Sequence, residues 1–140
     1  MHIPPYRIFD HTADLGIEIC GASAKELFCN AACALVDIMT DIKRVKAKEE
    51  KGIAVEGSDL EELFVNFLRE ILYMYNGEGF LPKECVIFGM DDFHVTGRVR
   101  GEPFAEGKHH MNIEIKAVTY HHAEIRKIAE QWIGKVICDV

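Results

Sequence analysis

Asp139 and the free α-carboxylate of Val140 place two negative charges on adjacent residues, directly after the apolar run Val136-Ile137-Cys138. Like-charge repulsion disfavours such a pair unless a cation or a basic group compensates it. All-oxygen ligands of this kind suit hard cations such as Ca2+ or Mg2+ better than zinc. From spacing alone, a hydrated and frayed terminus is the simpler account. A second candidate is His11-Thr12-Ala13-Asp14, in the connection between two apparent strands. Connections of that kind are where binding residues tend to sit.

The other reactive side chains point to less. The seven histidines include the pairs His109-His110 and His121-His122. Neighbours on a strand face opposite ways, so only one of each pair would serve a common site. None has standard zinc-ligand spacing, and His109 and His110 read as exposed loop residues. For His121 a supporting role at the site competes with that of a buried, hydrogen-bonded imidazole. Cys29 and Cys33 are four residues apart on an expected helix and share a face. Without partner ligands they read as core packing rather than a redox or zinc pair. There is no Gly-rich phosphate loop, no G-x-S-x-G and no H-E-x-x-H, so no catalytic motif stands out.

These residues need elements to hold them. Tyr6 to Phe9 reads as a short strand. Leu15, Ile17 and Ile19 alternate with Gly16, Glu18 and Cys20, the period of a half-buried strand. Ser23 with Glu26, and Ser58 with Glu61, have the spacing of capping boxes. The first opens a helix over Ala24 to Thr40, the second a helix over Asp59 to Tyr75, each with an apolar face. Arg44 to Val55 reads as a strand-rich connection. Three further strands are expected at Glu84 to Met90, Phe93 to Gly101 and Met111 to Thr119. The Asp91-Asp92 pair suits a turn. Ala123 to Val140 fits an amphipathic helix by periodicity, although Val136 to Val140 fits a strand too. The expectation is an α+β sandwich, a mixed or antiparallel β-sheet with two long helices packed on it. A length of 140 residues suits one domain over 1–140.

Composition narrows the function. The net charge is −7, with 16 Lys and Arg against 23 Asp and Glu. Tight RNA binding usually needs a basic stripe, so direct binding to RNA is disfavoured and contact with tRNA is expected to be indirect or weak. The densest basic run, Lys43 to Lys48, is followed at once by Glu49 and Glu50 and reads as a solvated edge. No apolar run approaches a membrane span, and the start lacks the pattern of a signal peptide. A cytoplasmic location is the resulting expectation.

Three segments together resemble the archease family: His11-Thr12-Ala13-Asp14-Leu15-Gly16, Lys116-Ala117-Val118-Thr119-Tyr120-His121, and the ending from Trp132 to Val136-Ile137-Cys138-Asp139-Val140. Their order and spacing match, and the resemblance covers essentially the whole chain. It implies an archease-like sandwich, with a strand at the chain's end. It also implies a non-catalytic accessory protein of the tRNA-splicing RNA ligase, one that promotes ligase guanylylation and multiple turnover. The implied metal ligands are Asp14, Asp139 and the carboxylate of Val140, holding a divalent cation: Ca2+, with Mg2+ or Mn2+ as substitutes. His11, Thr119, Tyr120 and His121 are the candidates to support the site or touch the partner. Cys138 and His122-Ala123 depart from the family's usual residues, but neither departure touches a ligand. The competing readings are a chaperone-like modulator of tRNA-modifying enzymes and a metal-dependent hydrolase.

Overall fold

Among the described residues, seven strands, all paired antiparallel, form two separate sheets, and two helices lie between them. The computed structural model describes residues 4–11 and 13–140, except the side chain of His11. The elements run β1 (Tyr6–His11), β2 (Asp14–Gly21), α1 (Ala24–Met39), β3 (Glu49–Glu56), α2 (Leu60–Asn76), β4 (Phe80–Met90), β5 (His94–Pro103), β6 (Ala117–Ile128) and β7 (Gln131–Asp139). A short 3-10 turn, Ile42–Arg44, follows α1. One sheet has the order β1-β2-β7-β6 and the other β3-β5-β4. The α+β sandwich is as expected, but with two sheets where one was expected. None of the strand pairs is parallel.

The helices start where side chains can satisfy their free amides. Ser23 Oγ accepts from the Glu26 amide at 3.1 Å. At α2 the cap is Asp59, one residue beyond the expected Ser58. Its Oδ1 accepts from the Glu62 amide at 2.7 Å, and Glu62 Oε1 accepts from the Ser58 amide at 3.0 Å. The side-chain cap is thus displaced by one residue, and the Glu62 carboxylate reaches back to the amide of Ser58, just before the cap.

Because α1 packs on β2 and β7 of one sheet and on β4 of the other, it must be apolar on more than one side. Nine of its 16 residues are buried, more than a one-sided stripe supplies. α2 likewise meets β6 on one side and β3 and β4 on the other. Phe28 of α1 joins the helices, its ring centroid 5.0 Å from Phe64 and 5.3 Å from Phe67 of α2. Each of these fully buried aromatics stabilises the fold by about 1.5–3 kcal/mol through burial alone.

Two expectations for the later part of the chain are corrected. Met111 to Lys116 is not a strand. Its strand-like pairing is a single bridge from Met111 to Thr40, the residue after α1, and β6 begins only at Ala117. The helix that periodicity favoured over Ala123 to Val140 is absent and the strand that the resemblance implied at the chain's end is present, in a hairpin where β6 turns into β7 at Ala129-Glu130, with Ala129 at φ 55°. β7 is a central strand. Val136 and Cys138 are buried on its helix side and Ile137 on its other side, so its apolar run carries no strand periodicity.

A further correction concerns His109, which is buried rather than exposed. Its Nδ1 accepts from the Ala105 amide at 2.9 Å, which leaves Nε2 as the protonated nitrogen, donating to Glu102 Oε2 at 2.9 Å. Glu102 also accepts from the Lys46 amide at 2.9 Å and from Lys108 Nζ at 2.7 Å. Burial alone would raise the Glu102 pKa, but the bonds from Lys108, Lys46 and His109 outweigh it and hold the carboxyl at about 2. A carboxyl held below its unfolded value stabilises the fold fully above that value, near 4.5, and loses the contribution as pH falls toward 2. Melting curves from pH 7 to pH 2.5 are expected to show a smaller acid loss for Glu102→Gln than for the wild type. At pH 7 the same variant is expected to be less stable by about 1–3 kcal/mol.

Candidate functional site

The site is built on the sheet that contains β7. Leu15 of β2 pairs with Cys138 of β7, and that register, continued by one residue, sets Asp14 across from Asp139. On the outer side of β2, Asp14 pairs with His11 of β1; on the outer side of β7, Asp139 pairs with Ala117 of β6. One row across the four strands thus reads His11, Asp14, Asp139, Ala117. Directly opposed residues point to the same face with Cβ atoms about 4.5–5.5 Å apart, and like charges in that relation destabilise the pair. Asp14 is half-buried and Asp139 exposed. By strand alternation Asp14, Asp139 and Ala117 face away from the helices, while Leu15, Cys138 and Val118 in the next row face them. Cys138 is completely buried there; burial, with the Asp14 carboxylate adding to it, pushes its thiol up to about 12.

α2 fixes the outer strand. Arg69 Nε donates to the Val118 carbonyl at 2.9 Å, and Asn76 Nδ2 donates to the Ile115 carbonyl at 3.0 Å. The Lys116 amide donates to the Asp139 carbonyl at 2.7 Å, which fastens the approach of β6 to the end of β7. An open groove of about 310 Å3 lies there, lined by Arg69, Tyr73, Asn76, Lys116 and Ala117 among others. Arg69, Tyr73 and Asn76 were not singled out from the sequence. Their spacing of four and three residues puts them on one face of α2, a polar stripe beside the apolar one, and that was the available signal.

The remaining candidates are dispersed. Thr119 Oγ1 donates to the Ile137 carbonyl at 3.2 Å, so its hydroxyl is committed to the neighbouring strand. Between the pairs Thr119–Ile137 and Glu124–Lys135, β6 advances five residues while β7 advances two. The surplus forms a wide bulge carrying Tyr120, His121 and His122 to the surface. His122 has φ 63°, which breaks the strand alternation; the two imidazoles lie together, centroids 3.8 Å apart, rather than on opposite faces. His121 is exposed, not buried. Tyr120 OH donates to Asp59 Oδ2 at 3.3 Å, tying the bulge to the N-terminus of α2. Thr12 and the His11 side chain lie outside the described residues. Among the described residues, no three His, Cys, Asp or Glu side chains come together as metal ligands.

Residues 6–140 match the Archease protein family (MTH1598/TM1083). The chain belongs to the archease family. It is similar to the Pyrococcus furiosus protein archease, with 35% identity over 94% of this chain and 96% of the relative. It is also similar to the solution structure of Methanobacterium thermoautotrophicum protein 1598, with 36% identity, a TM-score of 0.82, and coverage of 96% of this chain and 98% of that one. A crystal structure of an archease from Thermotoga maritima, described as a possible chaperone, shares the archease fold at 22% identity and a TM-score of 0.65, covering 99% and 100% of the two chains.

The Asp59 carboxylate raises the Tyr120 pKa above its ordinary value, first through its charge and further through the hydrogen bond. Asn caps helices about as well as Asp. Asp59→Asn is therefore expected to leave α2 intact while returning the Tyr120 titration toward an ordinary phenol, as followed by the pH dependence of its ring resonances.

Proposed function

We propose that this chain is a non-catalytic accessory protein of a tRNA-splicing RNA ligase, and that Asp14, Asp139 and the Val140 carboxylate hold the divalent cation it works with. Membership of the archease family supports the accessory role. The β2–β7 register, which ends at the pair Leu15–Cys138 and leads on to Asp14 and Asp139, is the observation that carries the site. Two carboxylates held side by side on a rigid sheet end favour a hard cation, because the cation removes the repulsion between them. Ca2+ fits such oxygen ligands, and Mg2+ or Mn2+ are the substitutes. When bound, the cation supplies positive charge that phosphate or nucleotide groups of a partner can approach.

The chain's own contribution is positional. β2 and β7 fix the two carboxylates. Arg69, Asn76 and the Lys116 amide hold the adjoining strand still. Thr119 supports the β6–β7 pairing, whereas Tyr120, His121 and His11 are the proposed contacts with the ligase. The net charge of −7 complements a partner with a basic RNA-binding surface, so tRNA would be met through the ligase.

A second reading, a chaperone-like modulator of tRNA-modifying enzymes, draws support from the description of the Thermotoga maritima archease as a possible chaperone. The experiment that separates the two is single-turnover guanylylation of an RNA ligase with and without this chain. Stimulation by the wild type, lost in Asp14→Ala, in Asp139→Ala and on extension beyond Val140, is the expected result. No stimulation at all would sink the ligase reading. In chelator, Asp139→Asn is expected to be more stable than the wild type by about 0.2–1 kcal/mol, because it removes a like-charge pair. Calorimetry should show Ca2+ binding to the wild type and its loss in the same variant.

A further inference from the structure

A thiol cluster sits on the opposite side of the helical layer from the carboxylate row. Cys29 of α1 and Cys85 of β4 have their sulfur atoms 2.8 Å apart, and the Cys29 thiol also lies 3.4 Å from the Cys85 carbonyl. All of the cysteines are free. Ordinary sulfur–sulfur contact distances are longer, and a disulfide requires about 2.05 Å, so little movement separates the two states. We propose that Cys29 and Cys85 are an oxidation site, closing under peroxide to an intramolecular disulfide that staples α1 to β4.

Three observations converge on this pair. The two sulfurs come from elements that pack on each other, at residues 56 apart in the chain, so the contact is created by the fold. Both side chains are half-buried, and they border a small cleft also lined by Cys33, Lys83 and Glu84. The cleft's free volume is about 10 Å3, at the lower limit for a single water, which excludes a bulky oxidant such as glutathione disulfide. The third thiol does not compete. Burial, with the Asp37 charge adding to it, raises Cys33 to about 11, which keeps it protonated.

The sulfurs are also differentiated. The hydrogen-bonded contact between the two sulfurs lowers the pKa of Cys29 and, together with burial, raises that of Cys85. Cys29 is therefore the nucleophile. Its thiolate attacks one oxygen of hydrogen peroxide, the O–O bond breaks, and the departing hydroxide takes up a proton to leave as water. Cys29 is then a sulfenic acid. The Cys85 sulfur attacks Cys29 Sγ, the S–O bond breaks, and the Cys85 proton leaves with the oxygen as a second water. Two thiols and one peroxide yield one disulfide and two waters. The cross-link closes a long loop and restricts the unfolded chain, so the oxidised form is the more stable one.

The test is oxidation of the reduced full-length chain with hydrogen peroxide. Expected are an intact mass lower by two hydrogens and a non-reducing peptide map joining the Cys29 and Cys85 peptides. Cys20, Cys33 and Cys138 should remain alkylatable. Dithiothreitol should reverse the change, and the oxidised protein should melt several degrees higher. Cys85→Ser is expected to arrest the reaction at a Cys29 sulfenic acid that dimedone traps. A Cys29–Cys33 disulfide, over-oxidation of Cys29 without a cross-link, or full alkylation of both Cys29 and Cys85 after peroxide would each overturn the proposal. The wild-type peptide map decides the matter even if a serine variant folds poorly.

Discussion

Both sheets bury a face against the same two helices, and that constraint governs the rest of the structure. A helix lying on one sheet can keep half its circumference polar, whereas α1 and α2 must be apolar toward both sheets and toward each other. The cluster of Phe28, Phe64 and Phe67 lies where all three demands meet. Strands bring polar residues to the outer faces of the sandwich, and so the chemistry available for a partner lies there or on the sheet ends. The carboxylate row occupies such an end. The thiol pair occurs where a helix meets a strand, inside the layered stack.

The legible parts of the fold were those with local signals. Ser23 and Glu26 marked the first helix, and the Leu15-Ile17-Ile19 alternation marked β2. The helical spacing of Leu60, Leu63, Phe64, Phe67, Leu68, Ile71 and Leu72 marked α2. What escaped depends on partners distant in sequence. Val136-Ile137-Cys138 is apolar on both faces because β7 is central, and such a run fits a helix as readily as a strand. The second sheet escaped because individual strands do not state which neighbours they pair with. His109 was misread because its partner Glu102 comes from another element, and no spacing rule connects an imidazole to a carboxylate across a loop.

For the candidate site, the residues were legible through three separated segments, and their arrangement was not. The sequence placed Asp14 near a loop and Asp139 near an end. Only the β2–β7 register, continued one residue past Leu15–Cys138, brings these two positions toward each other. Tyr120 and His121 belonged to the same motif as Ala117, yet the surplus residues in β6 carry them away along the edge toward Asp59. A motif contiguous in sequence is thus divided in space between a row of acids and an exposed bulge. Arg69 and Asn76 are the reverse case, distant in sequence but fastened to the same strand.

The order β1-β2-β7-β6 has a further implication for how this chain is made. Synthesis delivers β1 and β2 first and β7 last, yet β7 is the strand that joins β2 to β6. As the chain emerges from the ribosome, the β1–β2 hairpin waits with one edge of backbone donors and acceptors unmatched until every other element has appeared. The three-stranded sheet closes sooner, since β5, the strand that joins β3 to β4, is made before β6 and β7. Assembly is therefore staggered: one half of the sandwich can close earlier, and the half bearing the acids closes only once β7 has emerged. The residues that complete the sheet are the same ones that complete the carboxylate row, so an interrupted chain would never display it.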